Sequence, residues 1–561
     1  MKKLAALLAL LMSLSCLTAC DFSEMINKLT GKETSSEEQL DAEGFVEVLG
    51  AQDTVTLKAN ESKTYAVNKN IAGKEYIKLV LDTDVRLVGQ FQYHDVNDEK
   101  KIVTEDFFIE DADGETEFKQ FFDAFRLNGH GQFDKQLLSI KLINKGDTDG
   151  KVTLKRAAVS ARKIDDYERE VYVTQGEIKV GADLATGGTL TYLERMTYDG
   201  QSVDEIISQN DEVEIGVNAK AEAKEHLSSS VNLINIYDAG RQFQQSYYAN
   251  VGGIMGDTPE EMKKYGWSAT KHPDDYGANG YNRALCKTAD SAGYYWPYNP
   301  VQGGDVNSNP SQIIDYEVTK NQIYVKVRAM DWAKGDNGSG LDGTVLGGVT
   351  TKSYMENWYT IKGGMVYVRN RFVDWNGFEG LEKVPVHSNE LPAAYVVHPL
   401  HNYVCYTGSD DTWTGELTTI PDLGPWNVKA HANHQPVEEW FAWVNDENFG
   451  VGVYVPNTDV FASGRSHVST HKLYTGNSNA DKSPLVGKYR YNKPLNTSDY
   501  TSCYTTNTSY TAPVVNWTMK SYVPMEYTYV ISVDYVGVMR QQFKDICESG
   551  TVTNETLSSW K

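Results

Sequence analysis

The sequence predicts an all-β protein with few helices, and three observations support this prediction. Short segments in which apolar and polar residues alternate recur along most of the 561 residues. The composition includes 35 tyrosines and 11 tryptophans, residue types that favour strands. Helix signals are few. With 40% hydrophobic and 23% charged residues, the chain has enough apolar material for a buried core.

The first group of predicted strands lies between residues 44 and 163. Apolar residues alternate in Tyr76–Leu81, Leu138–Leu142 and Val152–Lys155, and Asp147–Gly150 has the residue types of a hairpin turn. Roughly six to eight such strands in a segment of this length are typical of a β-sandwich or jelly roll. A sandwich on an exported protein can bind carbohydrate or can serve as a packing and spacer unit, and the sequence leaves both open.

The second group of predicted strands occupies residues 164–550 and is longer and more aromatic. Thr258–Glu261 has the N-cap, proline and acidic residues of a helix start. Val536–Cys547 is apolar on one face and predicts a helix near the end of the chain, before a tail at 551–561. Examples of the strands are Gln322–Arg328, Met365–Val373 and Tyr527–Val533.

The N-terminus has the features of an export signal. Two lysines precede Leu4–Leu17, an apolar stretch too short to span a membrane as a helix. The stretch ends in Leu17-Thr18-Ala19-Cys20, which resembles the lipobox of bacterial lipoproteins. The resemblance implies that residues 1–19 are removed, that Cys20 is lipidated, and that the polar segment 20–43 is a flexible tether. An ordinary signal peptide beside a chance cysteine is the alternative.

Charge and hydropathy limit the partners. Fifty-three Lys+Arg against 76 Asp+Glu give a net charge of −23, which argues against a nucleic-acid-binding surface. The chain has no second apolar run long enough to span a membrane, so we expect the lipid to be the only membrane attachment. The expected location is extracytoplasmic, lipid-anchored to the cell membrane, on the outer surface or the periplasmic face.

The cysteines do not define a disulfide framework. Cys286, Cys405, Cys503 and Cys547 would be left after processing and lipidation, and they allow three pairings. The sequence has no CxxC motif, which argues against a zinc knuckle.

Metal binding is not favoured by the spacing of potential ligands. His398 with His401, and His431 with His434, have i, i+3 spacing, but neither pair lies in a helical pattern. The loop Asp331–Gly338 is rich in oxygen ligands, but it lacks the EF-hand spacing and is typical of a turn. We therefore expect no cofactor, with a structural calcium ion as the alternative.

Several strings combine polar groups with aromatic rings. Asp238-Ala239-Gly240-Arg241 is one, and Trp296-Pro297-Tyr298-Asn299 is another. Carboxylates, guanidinium groups and amides bind the hydroxyl pairs of a sugar, and aromatic rings stack on its apolar face. A surface salt bridge and core packing are the alternatives. The candidate substrate-binding residues are Arg241, Gln245, Tyr248, Trp296, Asn299, Gln302, Asp305 and Trp440.

Together with four further strings, these segments resemble the galactose mutarotase-like family. The resemblance covers about residues 170–535 and extends to uncharacterised secreted proteins that share this domain. It implies a β-supersandwich over residues 164–550, in which the arginine of the Gly-Arg motif faces a sugar site. The four strings are Gly187–Leu193, Asn389–Tyr395, Glu439–Val444 and Gly450–Tyr454.

The resemblance also suggests catalytic residues. Seven of the eleven histidines fall between His387 and His471, and histidine is suited to proton transfer near neutral pH. In the mutarotase family a histidine donates a proton to the ring oxygen and a glutamate takes the proton of the anomeric hydroxyl. This implies His387 as acid and Glu390 as base, with Asp238 as a further catalytic candidate. Packing in the core is the alternative for any single histidine.

These inferences predict a surface-anchored carbohydrate-active protein. It would bind and process an oligo- or polysaccharide by acid/base chemistry, as a glycoside hydrolase, a lyase or an epimerase. The alternative is a glycan-binding surface lipoprotein without catalytic activity. The sequence has no nucleophile elbow, phosphate loop or dinucleotide fingerprint that would favour another class of enzyme.

Overall fold

The chain folds almost entirely as antiparallel β-sheet, as the computed structural model shows. Every strand pair in the described residues is antiparallel and helix is scarce, which confirms the predicted fold class. The helix predicted at Thr258–Glu261 lies outside the described residues. The structure describes residues 40–95, 100, 102–110, 114–122, 133–163, 170–198, 201–202, 232–235, 242–247, 300–304, 310–331, 350–375, 384–385, 389–397, 400–408, 411–421, 436–456, 466–469, 508–515, 518–519 and 521–554.

The N-terminal sandwich consists of two facing sheets. The turn predicted at Asp147–Gly150 is confirmed, because one strand ends at Asn144 and the next begins at Gly150, but the predicted hairpin is wrong, because these two strands belong to different sheets and do not pair. The strands are β1 (Phe45–Leu49), β2 (Val55–Leu57), β3 (Ser62–Asn70), β4 (Tyr76–Thr83), β5 (Leu87–Asp95), β6 (Ile102–Ile109), β7 (Gly114–Phe121), β8 (Phe133–Asn144) and β9 (Gly150–Ser160).

One sheet of the sandwich has the order β1-β9-β4-β7, with β2 also paired to β9, and the other has the order β3-β8-β5-β6. Alternate residues of each strand point into the space between the sheets, where Leu79, Phe91 and Ile140 are fully buried. The Phe91 and Phe107 rings stack at 4.3 Å between centroids. The alternation seen in the sequence therefore corresponds to one apolar and one polar face on each sheet.

The rest of the chain forms a larger β unit. A short 3-10 helix, Leu184–Thr186, interrupts its first strands. The strands are β10 (Glu170–Gln175), β11 (Ile178–Asp183), β12 (Thr189–Arg195), β13 (Thr197–Tyr198), β14 (Gln201–Ser202), β15 (Gln244–Ser246), β16 (Pro300–Val301), β17 (Gln312–Val318), β18 (Gln322–Asp331), β19 (Thr350–Lys362), β20 (Met365–Asp374), β21 (Val384–Pro385), β22 (Asn389–Val397), β23 (Asn402–Cys405), β24 (Thr418–Pro421), β25 (Trp440–Val444), β26 (Phe449–Tyr454), β27 (Ser466–Ser469), β28 (Thr508–Val515), β29 (Thr518–Met519) and β30 (Met525–Tyr535).

Fourteen of the described strands form one continuous sheet, in the order β24-β23-β25-β26-β30-β20-β19-β18-β16-β15-β22-β28-β27, with β17 paired to β18. A smaller sheet, β10-β11-β12, lies beside it. Their inward side chains make one apolar core that includes Val180, Val325, Val396 and Val451. Strands far apart in sequence thus share a single buried core, as expected for two packed layers of sheet.

A helix, α1 (Val536–Ser549), follows the last strand and confirms the helix predicted at Val536–Cys547. Its buried residues Met539, Phe543 and Ile546 recur at helical spacing and pack on the outer face of the large sheet. Gly550 ends the helix in the left-handed conformation, with φ of 60°. In the described part of the chain, no helix has the length and apolar character needed to cross a membrane.

The connector between the two units is held by aromatic rings from both. The Arg162 guanidinium lies over the rings of Tyr76 and Phe121 from the sandwich, at 4.6 and 5.3 Å, and over Tyr316 of β17, at 4.8 Å. Arg162 also forms an ion pair with Asp315 at 3.3 Å, and the Tyr76 hydroxyl donates to the same carboxylate at 2.7 Å. Cation–π contacts of a partly desolvated arginine therefore join the units at this point.

Beside this contact, charged residues are buried in a seam between the sandwich and the large sheet. The Glu356 carboxylate accepts hydrogen bonds from Arg371, at 2.7 Å, and from the Tyr324 hydroxyl, at 2.7 Å. Arg371 is also paired with Glu110 of the sandwich. Burial alone would raise the pKa of the Glu356 carboxyl, but Lys326 and Arg371 outweigh burial and hold it below its ordinary value of 4.5.

Replacing Glu356 with glutamine should destabilise the protein by roughly 3 kcal/mol at neutral pH, because the buried Lys326 and Arg371 both lose the nearby negative charge of this carboxylate. A carboxyl with a lowered folded-state pKa contributes stability above its unfolded-state pKa and loses it as the pH falls through the folded-state value. We therefore expect the difference in free energy of unfolding between the wild type and Glu356→Gln to shrink as the pH falls below 4.5. Urea unfolding at several pH values measures this.

The matched control for Glu356→Gln is Glu115→Gln. Glu115 forms an ion pair with Lys155 on the surface of the sandwich, and its side chain is 57% exposed. An exposed pair contributes little, so this variant should unfold within about 0.5 kcal/mol of wild type. Equal losses in the two variants would contradict a stabilising role for the seam.

Candidate functional site

The candidate site lies on one face of β22 and β28. Tyr395 of β22 pairs directly with Tyr510 of β28, and Glu390 pairs with Val514 four residues further along the same partner strand. The register shifts by one residue between these two pairs. Because successive residues alternate faces, this shift brings Glu390 to the same face as Tyr395 in spite of their odd separation.

We call this surface the Glu390 face; it carries Glu390, Ala393, Tyr395, Tyr510 and Ala512. The Tyr510 hydroxyl donates a hydrogen bond to Glu390 Oε1, and the Tyr395 and Tyr510 rings lie 4.3 Å apart between centroids. Glu390 keeps 9% of its surface exposed, whereas Tyr510 has none.

The neighbouring strand β15 extends the Glu390 face with polar residues. Ser246 pairs with Glu390, and Gln244 pairs with Ala393. Both are buried, and Gln244 Oε1 accepts a hydrogen bond from the backbone N–H of Gly303 at 2.9 Å. Residues opposite each other on adjacent strands lie on the same face, so carboxylate, hydroxyl and amide groups gather on this one surface.

Gln245 and Gln302 are brought together, but in the core and not on the Glu390 face. Gln302 Oε1 accepts from the backbone N–H of Gln245 at 3.2 Å. Gln245 Nε2 donates to Asn357 Oδ1 at 3.0 Å, and its Oε1 accepts from the Tyr247 hydroxyl at 2.6 Å. These amides therefore form hydrogen bonds with other polar groups in the core, where buried polar groups are normally paired. Their predicted contact with substrate stays a prediction.

The same network holds the turn that precedes β12. Gln302 Nε2 donates to the carbonyl oxygen of Gly187 at 3.0 Å, and the Tyr359 hydroxyl donates to that of Gly188 at 2.9 Å. Gly187 has a φ of 63°, and a Cβ added there would lie 1.9 Å from the carbonyl oxygen of Gln302. Only glycine allows so close an approach of two backbones.

Replacing Gly187 with alanine should therefore destabilise the protein strongly. Gly363→Ala is the matched control, because Gly363 has a φ of 60° and nothing within 4 Å of an added Cβ. The control measures the cost of the left-handed conformation alone, about 1 kcal/mol. We expect Gly187→Ala to cost at least ~2 kcal/mol more in chemical unfolding. Similar losses in both variants would contradict the close approach.

Trp440, the other described candidate for substrate binding, lies beneath α1. It is fully buried, its ring lies 5.8 Å from that of Phe543, and its Nε1 donates to Glu438 at 2.8 Å. Glu438 in turn pairs with Arg540 of α1 through both carboxylate oxygens, at 3.0 and 2.6 Å. The structure thus gives Trp440 a packing environment away from the Glu390 face.

The remaining predicted site residues lie outside the described residues, and their roles stay predictions. Arg241 and Tyr248 adjoin the segment 242–247 in the chain, and His387 is two positions before β22. The convergence of the whole predicted set therefore stays a prediction. Outside the described residues are Cys20, Asp238, Arg241, Tyr248, Trp296, Asn299, Asp305 and His387.

Among the residues that the structure describes, no group of three or more histidine, cysteine, aspartate or glutamate side chains could hold a metal ion. His401 contacts Asp446 Oδ1 through Nε2 at 3.0 Å; its predicted partner His398 and the pair His431/His434 lie outside the described residues. Burial raises the pKa of the Cys405 thiol to about 12, which keeps it protonated and unreactive at neutral pH.

The tyrosines of the Glu390 face were not among the candidates predicted from the sequence. Tyr395 belongs to the string Asn389–Tyr395, so the motif itself is a signal that could have indicated this residue. Tyr510 is 120 residues from Glu390. No local pattern indicates a strand pairing over that distance, so one sequence could not show this contact.

No family model matches the chain, and no curated protein matches it. Several solved structures are similar at low levels, and three of them are described. A candidate aldose 1-epimerase from Escherichia coli K12 is 8% identical, with 65% of this chain and 99% of that chain covered and a TM-score of 0.30. A family 11 carbohydrate-binding module from Clostridium thermocellum is 11% identical, with coverages of 21% and 87% and a TM-score of 0.15.

The third is a protein in glycosyl hydrolase family 38 from Enterococcus faecalis. It is 7% identical, with 90% of this chain and 46% of that chain covered and a TM-score of 0.27. At these values the likenesses are distant, and the function must be argued from the residues of the site itself.

Proposed function

We propose that the protein binds and processes an oligo- or polysaccharide by acid/base chemistry on the Glu390 face. The observation that carries the proposal is the contact between the Glu390 carboxylate and the Tyr510 hydroxyl, at a glutamate that is largely enclosed but keeps 9% of its surface exposed. An oriented carboxylate in an enclosed site can accept or return a proton, because little solvent competes with it.

The residues around Glu390 have different roles in the proposed site. The Tyr510 hydroxyl donates to Oε1 and fixes the orientation of the carboxylate. Ser246 and Gln244 place hydroxyl and amide groups on the adjacent strand, groups of the kind that hydrogen-bond to sugar hydroxyls. The Tyr395 ring is buried against the Tyr510 ring and helps to hold that tyrosine in place.

The chemistry of one carboxylate fits three reaction classes. In an epimerase, Glu390 takes the proton of the anomeric hydroxyl while an acid, for which His387 is the candidate, protonates the ring oxygen. In a hydrolase, Glu390 works with a second carboxyl group, for which Asp238 is the candidate. In a lyase, a base removes a carbon-bound proton next to a uronate. All three need Glu390 to exchange a proton with the sugar.

A second candidate function is glycan binding without catalysis. It is favoured by the burial of Glu390, which keeps only 9% of its surface exposed, because a proton acceptor must contact its substrate. The two functions differ in whether any sugar is released or converted.

Incubation of the purified protein with a panel of soluble glycans tests the proposal. We expect one or more glycans to be converted, with reducing ends, unsaturated products and anomeric composition all measured. Glu390→Gln should lower kcat by about 10²–10⁴-fold because it removes the proton acceptor. Tyr510→Phe should lower kcat by about tenfold and leave KM nearly unchanged, because it removes only the orienting hydrogen bond.

The control for these variants is Glu317→Gln, which removes an exposed carboxylate of β17 and should leave turnover unchanged. Thermal unfolding of each variant verifies that the fold is intact. Turnover that survives Glu390→Gln would exclude the proposed chemistry. Binding without conversion of any glycan would favour the second candidate function.

We further propose that the protein is attached to the outer side of a cell membrane through a lipid on Cys20. The proposal is supported by Leu17-Thr18-Ala19-Cys20 at the end of the apolar stretch. Cys20→Ser should move the expressed protein from the membrane fraction to the soluble fraction, because the thioether and its acyl chains are lost. Cys16→Ser is the control and should stay in the membrane fraction; equal fractionation of both variants would contradict the anchor.

A further inference from the structure

The outer face of the small sheet β10-β11-β12 carries two tyrosines. Val173 and Leu193 point inward to the main core, as does Val180 of the middle strand. Tyr172 directly precedes Val173, and Tyr192 directly precedes Leu193. Because successive residues of a strand alternate faces, both tyrosines lie on the outer face. Both are half-buried. The register places Gly181 of the middle strand between them, paired with Tyr172 on one side and with Tyr192 on the other.

Gly181 makes room for an aromatic ring. A Cβ added to Gly181 would lie 2.6 Å from both Cδ1 and Cε1 of Tyr172 and 2.9 Å from Cβ of Tyr192. The Tyr172 ring therefore occupies the space that a side chain at position 181 would need. The two rings are nearly perpendicular, at 87°, with centroids 5.4 Å apart. Together they form an aromatic corner on the surface of the sheet.

Charged groups surround this corner. The Tyr172 hydroxyl donates to Glu170, and the Tyr192 hydroxyl donates to Glu194 at 2.5 Å. The Lys179 ammonium lies over both rings, 4.8 Å from the centroid of Tyr172 and 5.0 Å from that of Tyr192. Ring faces, two carboxylates and one flexible ammonium thus lie within one small surface.

We propose that this surface, the Tyr172–Tyr192 corner, is a second glycan-contact site that holds a pyranose of a neutral polysaccharide. A pyranose has an apolar C–H face that suits the rings and a rim of hydroxyls that suits acceptors such as Glu170 and Glu194. Lys179 has a flexible stem and can turn its ammonium to a sugar oxygen. Two carboxylates against one ammonium disfavour uronates and sulfated sugars, which selects a neutral chain.

The corner is separate from the Glu390 face, because it lies on the small sheet, whereas Glu390 lies on β22 of the large sheet. Only the ligand class, carbohydrate, is taken from the proposed function. A contact outside the reacting groups would hold a long substrate near the site and raise its local concentration. Its loss should weaken binding to a polymer more than conversion of a short oligosaccharide.

Affinity electrophoresis of the full chain tests the site with named probes. The neutral probes are mixed-linkage β-glucan, xyloglucan and galactomannan, and the anionic probes are alginate and polygalacturonate. We expect at least one neutral polysaccharide to retard the protein. Tyr172→Ala should weaken that retardation about tenfold, because the ring supplies the stacking surface. Gly181→Ala should weaken it similarly, because the new methyl group displaces the Tyr172 ring without removing any group that the sugar contacts.

Tyr172→Phe is the matched variant and should keep most of the retardation, because it keeps the ring. Tyr172→Ala should leave the conversion of a short oligosaccharide unchanged, so failure of the proposed catalysis and failure of this site can be told apart. Thermal unfolding checks that each variant is folded. The proposal is overturned if no neutral polysaccharide retards the wild type, if only the anionic probes do, or if folded Gly181→Ala and Tyr172→Ala migrate as wild type does.

Discussion

A buried hydrogen-bond network fixes the arrangement of the large β unit. Gln302 donates to the carbonyl of Gly187 and accepts from the backbone of Gln245, and Gln245 reaches across to β19. Each contact joins segments that are distant in sequence. Because an amide left without partners in the core costs free energy, a shift in the register of these strands would be destabilising. The position of β15, and through it that of β22, follows from this constraint.

The two faces of the large sheet consequently have different roles. The inner side carries the core and the amide network, and Gln245 donates there to the backbone carbonyl of Glu356. The Glu356 side chain lies in the seam with the N-terminal sandwich, where it pairs with Arg371. On β22, the face opposite the core carries Glu390 with Tyr510. One set of strands therefore ties the two units together and also presents the candidate site.

Much of the fold followed from the sequence, because alternation and turn residues are local signals. The turn after Asn144 and the helix at Val536–Ser549 are examples, although the turn joins two sheets and does not form the hairpin that its residues predict. The sites were harder to predict. Sugar-binding amides and core amides are the same residue type, so Gln302 could not be assigned to the core from sequence. Glu390 was found through a motif, but its partner Tyr510 depends on a long-range strand pairing that local patterns do not encode.

The central claim is that a sugar binds against the Glu390 carboxylate. The most direct measurement is a crystal structure of Glu390→Gln soaked with a glycan that the wild-type protein converts or binds, since the variant should retain the sugar without turning it over. We expect a pyranose within hydrogen-bond distance of residue 390, beside β22 and β28. A sugar bound only elsewhere, with this face unoccupied at saturating glycan, would contradict it.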